Sequence, residues 1–127
     1  MTQAQLDTLK KLLTFIAPVY VHSGDCVGAD EQFSGLVSDL LPDVYTVGHP
    51  PDSPKLRAFL KYNLLKAFRP ALERNGNIVS EGQILIAAPY EAEEKLRSGT
   101  WATIRYARKA KRIIYIIKPD GKIVREN

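Results

Sequence analysis

Two segments in the second half of the chain, residues 84–88 and 113–117, are apolar without interruption. A strand with one face in water alternates apolar and polar side chains, whereas a strand covered on both faces is apolar throughout. Between these segments, Trp101, Ile104 and Ala107 recur at helical spacing. Two buried strands joined by a helix predict a parallel sheet with right-handed crossovers and helices on both faces.

The first half of the chain repeats this alternation. Thr2 is placed to cap a helix that Pro18 ends, and another helix follows Asp30. Short strands are expected at residues 19–22 and 44–47. The apolar stripes of the two helices are Leu6, Leu9, Leu12, Leu13 and Ile16, and then Phe33, Leu36, Val37, Leu40 and Leu41. The pattern predicts an α/β fold, a Rossmann-like three-layer sandwich with a mostly parallel central sheet, as a single domain over residues 1–127.

A third helix is predicted to begin at Ser53 and Pro54, because a capping hydroxyl followed by proline is a typical helix start. Apolar residues then follow one helical face as far as Arg69: Leu56, Phe59, Leu60, Leu64, Ala67 and Phe68. Pro70 is expected to end this helix and to start a short one that includes Arg74.

Composition excludes several classes of protein. Hydrophobic residues make up 45% of the chain and charged residues 25%, as in globular proteins. No apolar run approaches the roughly 20 residues of a membrane helix, so no membrane partner and a cytoplasmic location are expected. Cys26 is the only cysteine, and His22 and His49 add too few ligands for a metal site. No metal and no cofactor are therefore expected.

Charge is distributed unevenly along the chain. Residues 1–50 carry two basic and six acidic side chains, whereas residues 51–127 carry sixteen basic and eight acidic ones. An anionic partner is therefore expected on the second part. Because no basic block has interleaved aromatic residues, a phosphate-bearing small molecule is favoured and nucleic acid is not expected.

The segment 97–100 resembles a ligand loop that leads into a helix. Ser98, Gly99 and Thr100 precede the helical pattern, so free backbone N–H groups and the positive end of the helix dipole would face an anion. The simpler alternative is an ordinary helix capped by a hydroxyl residue. A basic stripe follows along this helix, formed by Arg105, Arg108, Lys109 and Arg112.

A second candidate loop lies between the first strand and its helix. Gly24 and Gly28 would let the backbone approach a ligand closely, although two glycines are weak evidence. Asp30 would either favour the helix dipole or hold ribose hydroxyls. His49 follows the next strand, where ligands bind in open α/β sheets, or it lies in a plain surface turn.

Four blocks in this order, residues 24–30, 49–51, 72–75 and 97–107, resemble the SLOG superfamily. The chain is most similar to its small bacterial and phage branch, called DprA-like or YspA-like. It is more distantly similar to the LOG phosphoribohydrolases and the molybdenum cofactor carrier proteins. The resemblance implies a Rossmann-like domain that binds a nucleotide or ADP-ribose-like ligand at the carboxyl ends of the strands.

The ligand-binding residues expected on these grounds are Gly24, Asp25, Gly28, Ala29, Asp30, His49, Arg74, Asn75, Arg97, Ser98, Gly99, Thr100 and Thr103. In this hypothesis the N–H groups around Gly99 and Thr100 hold phosphate and Arg97 adds a bidentate cation. Asp30 or Asn75 contacts the ribose.

Two departures from the family pattern matter. The LOG loop has a catalytic glutamate where this chain has Thr103, which cannot act as a carboxylate, although Arg74 matches the family arginine. Relatives also begin with an extra strand, whereas Met1 here runs almost directly into the first helix. The resulting uncovered sheet edge favours a homo-oligomer.

Three functions follow from these observations. The first is binding of a nucleotide-like ligand by a sensor, carrier or sequestering protein, for which the resemblance allows a phage or bacterial immune signal. The second is an N-glycosidic bond hydrolase in which Arg74 and Asp30 are catalytic, with Asp25 or Glu73 as other candidates for the missing carboxylate. The third is a DprA-like protein that binds DNA through the basic stripe.

Overall fold

The structure is a computed structural model that describes residues 1–127, apart from the side chain of Ala71. The helices are α1 Gln3–Ile16, α2 Ala29–Leu40, α3 Ala71–Glu81 and α4 Gly99–Lys109. The strands are β1 Tyr20–Ser23, β2 Tyr45–Gly48, β3 Leu64–Leu65, β4 Ile84–Ala87, β5 Ile113–Ile117 and β6 Ile123–Glu126. Within the described residues, no helix is long and apolar enough to cross a bilayer.

The strands are mostly parallel, as predicted. Hydrogen bonds group them into two three-stranded sheets, ordered β1-β2-β3 and β4-β5-β6. The first sheet is parallel throughout, and the second pairs β4 with β5 in parallel and β5 with β6 antiparallel. Helices alternating with parallel strands confirm the α/β prediction and are consistent with a Rossmann-like sandwich.

The chain divides into two compact units. One, the split unit, consists of Met1–Leu9 and Val79–Asn127, and the other, the contiguous unit, is Lys10–Ile78. The boundaries fall inside α1 and α3. A single domain over the whole chain remains a prediction.

The core of the split unit forms around α4. Trp101, Ile104 and Ala107 are buried, as their helical spacing predicts. They cluster with residues of the neighbouring strands and of the end of α3: Val79, Ala87, Ile114 and Ile116. The continuously apolar strand β5 therefore lies in the core, as the sequence predicts.

The first turns of α1 belong to this unit. Thr2 and Gln5 form a reciprocal cap, since Gln5 N–H donates to Thr2 Oγ1 over 3.0 Å and Thr2 N–H donates to Gln5 Oε1 over 2.9 Å. The buried Gln5 amide also donates to the carbonyls of Pro89 and Ile117, both at 3.0 Å. One side chain thus caps the helix and satisfies carbonyl groups that follow β4 and end β5.

In the contiguous unit, β1 and β2 present alternate residues to opposite faces. Val21 is paired with Thr46, and Ser23 with Gly48, so these positions share a face. The ring of Tyr62 covers Gly48 so closely that a Cβ there would lie 2.5 Å from it. The segment that follows β2 therefore folds back over this sheet.

The helix predicted from Ser53 to Arg69 is wrong. Only Pro54–Leu56 form a helical turn, and Leu64–Leu65 form β3. Arg57 is extended, with φ −77° and ψ 137°. Helical periodicity was overridden because the buried side chain of Asp25 binds this segment in an irregular conformation.

Candidate functional site

The loop between β1 and α2 contains most of the predicted residues of the contiguous unit. It follows the carboxyl end of a parallel strand, the position at which open α/β sheets bind ligands. Gly28, the residue before α2, has φ 95°, which suits glycine. Asp25 also has positive φ, at 52°, an uncommon conformation for a residue with a side chain. The backbone of the loop therefore has positive φ at both Asp25 and Gly28.

Asp25 is fully buried and organises the segment opposite. Its Oδ2 accepts from Nε and Nη2 of Arg57, both at 2.9 Å. Its Oδ1 accepts from the Leu60 N–H at 3.0 Å and the Tyr62 hydroxyl at 3.2 Å. The Asp25 carbonyl accepts from the Ala58 N–H at 2.8 Å. Because both carboxylate oxygens already have protein donors, this side chain holds the loop in shape.

Arg57 is nearly buried as well, with 10% of its side chain exposed. Its guanidinium carbon lies 4.4 Å from the ring centre of Phe59 and 5.1 Å from that of Phe68. The cation is therefore bound to a carboxylate at one edge and to aromatic faces. Both phenylalanines remain more than half exposed.

Arg74, on α3, reaches the other side of the loop. Its Nη1 donates to the Gly24 carbonyl over 2.8 Å and to the Cys26 sulfur over 3.1 Å, and it lies 3.9 Å from Oδ2 of Asp30. Its Nε is buried without a hydrogen-bond partner among the described residues. A buried N–H without an acceptor costs about 1–3 kcal/mol, so this group is a candidate donor to a ligand.

Gly24 permits this arrangement. A Cβ at Gly24 would lie 2.2 Å from Nη1 of Arg74 and 2.7 Å from Oδ2 of Asp30. The sequence predicted close approach of a ligand to this glycine. In the structure, the Arg74 guanidinium itself occupies the space beside it.

Asp30 accepts a hydrogen bond from the Cys26 N–H at 3.2 Å. Burial raises the pKa of Asp30, even though the charge of Arg74 acts in the opposite direction. About a third of the Asp30 side chain remains exposed, so a ligand can reach the carboxyl group. Burial also raises the pKa of the Cys26 thiol, which does not favour a reactive thiolate.

His49 is buried directly after β2 and faces His22 of β1. Nδ1 of His22 and Nε2 of His49 are 3.0 Å apart, and the ring centres are separated by 5.2 Å. One nitrogen must donate and the other accept, which links the tautomers of the two rings. His49 is therefore a packed residue of the sheet end and does not lie in an exposed turn.

The remaining predicted residues lie at the start of α4, in the split unit. The Ser98 hydroxyl caps this helix by accepting from the Trp101 N–H at 3.3 Å. The Thr103 hydroxyl donates to the Gly99 carbonyl at 3.0 Å. Arg97 is exposed. In an α-helix the first N–H groups have no intrahelical acceptor, which leaves those of Gly99 and Thr100 for a ligand or water.

Two of the four cations in the basic stripe on α4 are paired with carboxylates. Arg108 forms a bidentate pair with Glu126, at 2.7 and 2.8 Å, and a single bond with Glu94 at 2.9 Å. Arg105 binds the same Glu94 at 3.1 Å. Hydrogen bonds from Arg108 lower the pKa of Glu126 and, together with those from Arg105, that of Glu94. Arg112 donates to backbone carbonyls at the end of α3.

Within the contiguous unit, the structure brings together Gly24, Asp25, Asp30 and Arg74. Gly28 and Ala29 form the junction with α2, and Asn75 is half-buried on α3. Arg97, Ser98, Gly99, Thr100 and Thr103 form a local group at the start of α4. Sequence reasoning missed Arg57 and Tyr62, because their link to Asp25 spans more than thirty residues and has no local signature.

Comparison with known proteins assigns no family. No family model matches the chain, and no curated protein and no solved structure match it either. The functional hypothesis therefore depends on the residues themselves.

Proposed function

We propose that this protein binds a nucleotide or ADP-ribose-like phosphorylated ligand beside the loop that follows β1, and acts as a sensor, carrier or sequestering protein. The observation that carries the proposal is the state of Arg74. Its Nη1 is fixed on the loop, whereas its Nε–H is buried without a partner among the described residues. A phosphate oxygen placed beside this N–H would satisfy it with a charge-assisted hydrogen bond.

The surroundings of Arg74 support this proposal. Asp30 is close enough to Arg74 for charge interaction and is partly exposed, so its carboxyl group is available to ligand hydroxyls. Asp25 keeps the loop rigid from the opposite side through its bonds to Arg57 and Leu60. A preformed loop lowers the entropy lost on binding.

The start of α4 supports anion binding in the split unit. The N-cap role of Ser98 directs the free N–H groups of Gly99 and Thr100 out of the helix end. Arg97 is exposed and adds a positive charge next to that end. We propose that these groups bind phosphate oxygens.

A second candidate function, hydrolysis of an N-glycosidic bond, is favoured by one observation. The raised pKa of Asp30 makes this carboxyl group suitable for general acid–base chemistry at a pH nearer to neutral. Arg74 would then bind the phosphate or the leaving group. The stripe on α4, in which Arg105 and Arg108 are paired with carboxylates, gives the DNA-binding alternative no comparable support.

Native mass spectrometry of the freshly purified chain, followed by identification of any molecule released on denaturation, tests the proposal. We expect a phosphorylated nucleoside-type molecule that is lost in Arg74→Gln, and Arg97→Ala tests separately whether the start of α4 binds phosphate. Arg69→Gln and Lys95→Ala are matched controls, since both remove an exposed charge near the respective site. The same spectra report the subunit number and so test the expected homo-oligomer.

The same preparation separates binding from turnover. Incubation with a panel of nucleotides and ADP-ribose, followed by chromatography of the products, should show no hydrolysis if the protein only binds. Release of free base that disappears in Asp30→Asn would establish the hydrolase instead. Absence of both bound ligand and product, with unchanged stability on addition of every compound in the panel, would contradict both functions.

A further inference from the structure

A cavity of about 290 Å³ lies on the face of β1 and β2 that carries Val21 and Thr46. It is lined by α2, by these strands and by the segment before β3, all within the contiguous unit. None of the lining residues belongs to the Arg74 and Asp30 cluster. The cavity is close to the lower end of the size range of ligand pockets, roughly 300–1,000 Å³, and suits a molecule as small as one sugar.

Two small side chains of α2 leave room for the cavity. Ser34 and Ser38 lie one turn apart and both line the space, Ser34 half-buried and Ser38 exposed. Lys61 and Asn63 are exposed as well, so the cavity is open to solvent. A recess of this size, lined by hydroxyl groups, is a candidate binding site for a polar molecule.

The polar lining forms two connected groups. Ser23 Oγ lies 3.3 Å from the Tyr62 hydroxyl and 3.5 Å from Ser34 Oγ. Asn63 Oδ1 accepts from the Thr46 N–H at 2.8 Å and from its hydroxyl at 3.1 Å, which directs the Asn63 amide nitrogen away from that strand. Burial raises the pKa of Tyr62 to about 12, so its hydroxyl keeps its proton at neutral pH.

The charges around the cavity select the kind of anion. Lys61 supplies the only charge among the lining side chains that the structure describes. The lining residues of α2 lie in its middle and last turn, up to its C-cap Leu41. The carboxyl end of a helix carries partial negative charge, which weakens the positive potential of Lys61. A phosphate dianion loses more hydration free energy than a carboxylate on entering the cavity, so this weak potential favours the carboxylate.

We propose that this cavity binds a small polyhydroxy carboxylate, with the carboxylate at Lys61 and the hydroxyls at Ser34, Ser38 and Asn63. Val21, Val37 and Val44 supply an apolar wall for the carbon skeleton. Occupancy is connected to the loop after β1, because the Tyr62 hydroxyl also donates to Asp25. The site is separate from the one proposed for the phosphorylated ligand.

Titration of the isotope-labelled full chain with gluconate, followed by two-dimensional NMR of the backbone amides, tests this inference. We expect saturable shifts at Ser23, Ser34, Thr46 and Asn63 at millimolar gluconate. Glucose, which lacks the charge, should bind at least about tenfold more weakly, because a charged hydrogen bond contributes about 1.5–3 kcal/mol. Glucose 6-phosphate should also bind more weakly than gluconate, because its dianion is more costly to desolvate. Tighter binding of glucose 6-phosphate would contradict the assignment of the anion.

Two variants locate the site. Lys61→Met, at an exposed position, should weaken gluconate binding by about tenfold or more, whereas Lys55→Met, also exposed, should leave it unchanged. Ser38→Leu should fill the cavity and abolish binding, with Gly35→Ala on the same helix as a control whose added Cβ meets open space. Absence of saturable shifts in the parent chain, or gluconate binding that survives both Lys61→Met and Ser38→Leu, would overturn the proposal.

Discussion

The two arginine–carboxylate clusters of this protein use the same chemical groups in opposite surroundings. Asp25 and Arg57 are 0% and 10% exposed, and backbone N–H and tyrosine donors complete the coordination of the carboxylate. Arg108 and Glu126 form a bidentate pair with bonds of 2.7 and 2.8 Å, but about a third of each side chain is in water. From bond lengths alone, the exposed pair would be expected to stabilise the fold at least as much as the buried pair.

Their surroundings give them different roles. Removing one partner of a buried pair leaves an uncompensated charge, whereas water replaces a missing partner at the surface. The buried pair also has a consequence for the backbone, because Asp25 binds residues 57–62 in place of the helix that their sequence favours. The surface pair connects α4 to β6, elements that are already formed by local and core interactions.

The largest difference should appear on removal of the carboxylates. Asp25→Ala should lower the free energy of unfolding by about 3–5 kcal/mol, since it strands the Arg57 guanidinium and the Leu60 N–H. Urea denaturation followed by circular dichroism measures this loss. Asp25→Asn, which keeps the shape and an acceptor, should lose less. A loss below about 1 kcal/mol for Asp25→Ala would mean that the cluster does not organise the segment.

A methyl group at Gly24 should have the next largest effect. Gly24→Ala brings Cβ into the Arg74 guanidinium and the Asp30 carboxylate, and overpacking of this kind costs about 1–3 kcal/mol. Gly99→Ala is the matched control because nothing lies within 4 Å of its added Cβ. Its effect on the free energy of unfolding should stay within about 0.5 kcal/mol. If Gly24→Ala lowered the free energy of unfolding no more than Gly99→Ala does, the Arg74 side chain would be able to move aside without loss of stability.

The surface cluster should respond weakly. Glu126→Gln removes one carboxylate from Arg108, and we expect a loss of at most about 1 kcal/mol, smaller at high salt. Urea denaturation at low and high sodium chloride measures both properties. A loss as large as that of Asp25→Ala, or one that salt does not reduce, would remove the distinction between the clusters.

The smallest effect should be a difference in pH dependence. The lowered pKa of Glu126 contributes stability above its ordinary value of 4.5, and this is lost as pH falls through the lower folded pKa. The pH dependence of stability has the opposite sign for Asp30. Its raised pKa contributes stability at pH values below the ordinary pKa of 3.8, and this stability is lost as pH rises through the folded pKa.

Thermal unfolding across the acidic range compares the two groups. Asp30→Asn should gain stability relative to the parent chain as pH rises to neutral, whereas Glu126→Gln should lose stability over the same change. Parallel curves for the two variants would contradict the assigned directions of the pKa shifts.

Local sequence signals predicted the elements that depend on local interactions. Thr2 and Ser98 cap the helices that they were expected to cap, and Trp101, Ile104 and Ala107 face the core. Continuous apolar runs identified β4 and β5, which are paired in parallel, but only β5 is largely buried, since Ile84 of β4 is 38% exposed. In these cases the capping hydroxyl and the apolar period are within the element itself, so one stretch of sequence contains the whole signal.

The failures have a common physical cause. The predicted helix from Ser53 to Arg69 had a good start and a good period, but Asp25 offers its backbone N–H groups a better partner from a distant loop. A buried carboxylate fully coordinated by protein cannot be distinguished, in sequence, from one that is open to a ligand. Likewise, the contact between His22 and His49 depends on the pairing of β1 with β2 and is invisible before the fold is known.

The division of the chain also has a consequence for its synthesis. All residues of the contiguous unit, Lys10–Ile78, leave the ribosome in one uninterrupted stretch, so this unit can fold while the chain is still growing. The split unit cannot, because the Thr8 hydroxyl donates to the carbonyl of Gly121 and Gln5 donates to that of Ile117. Gln5 and Thr8 must therefore wait for these partners until residues 117–121 have emerged.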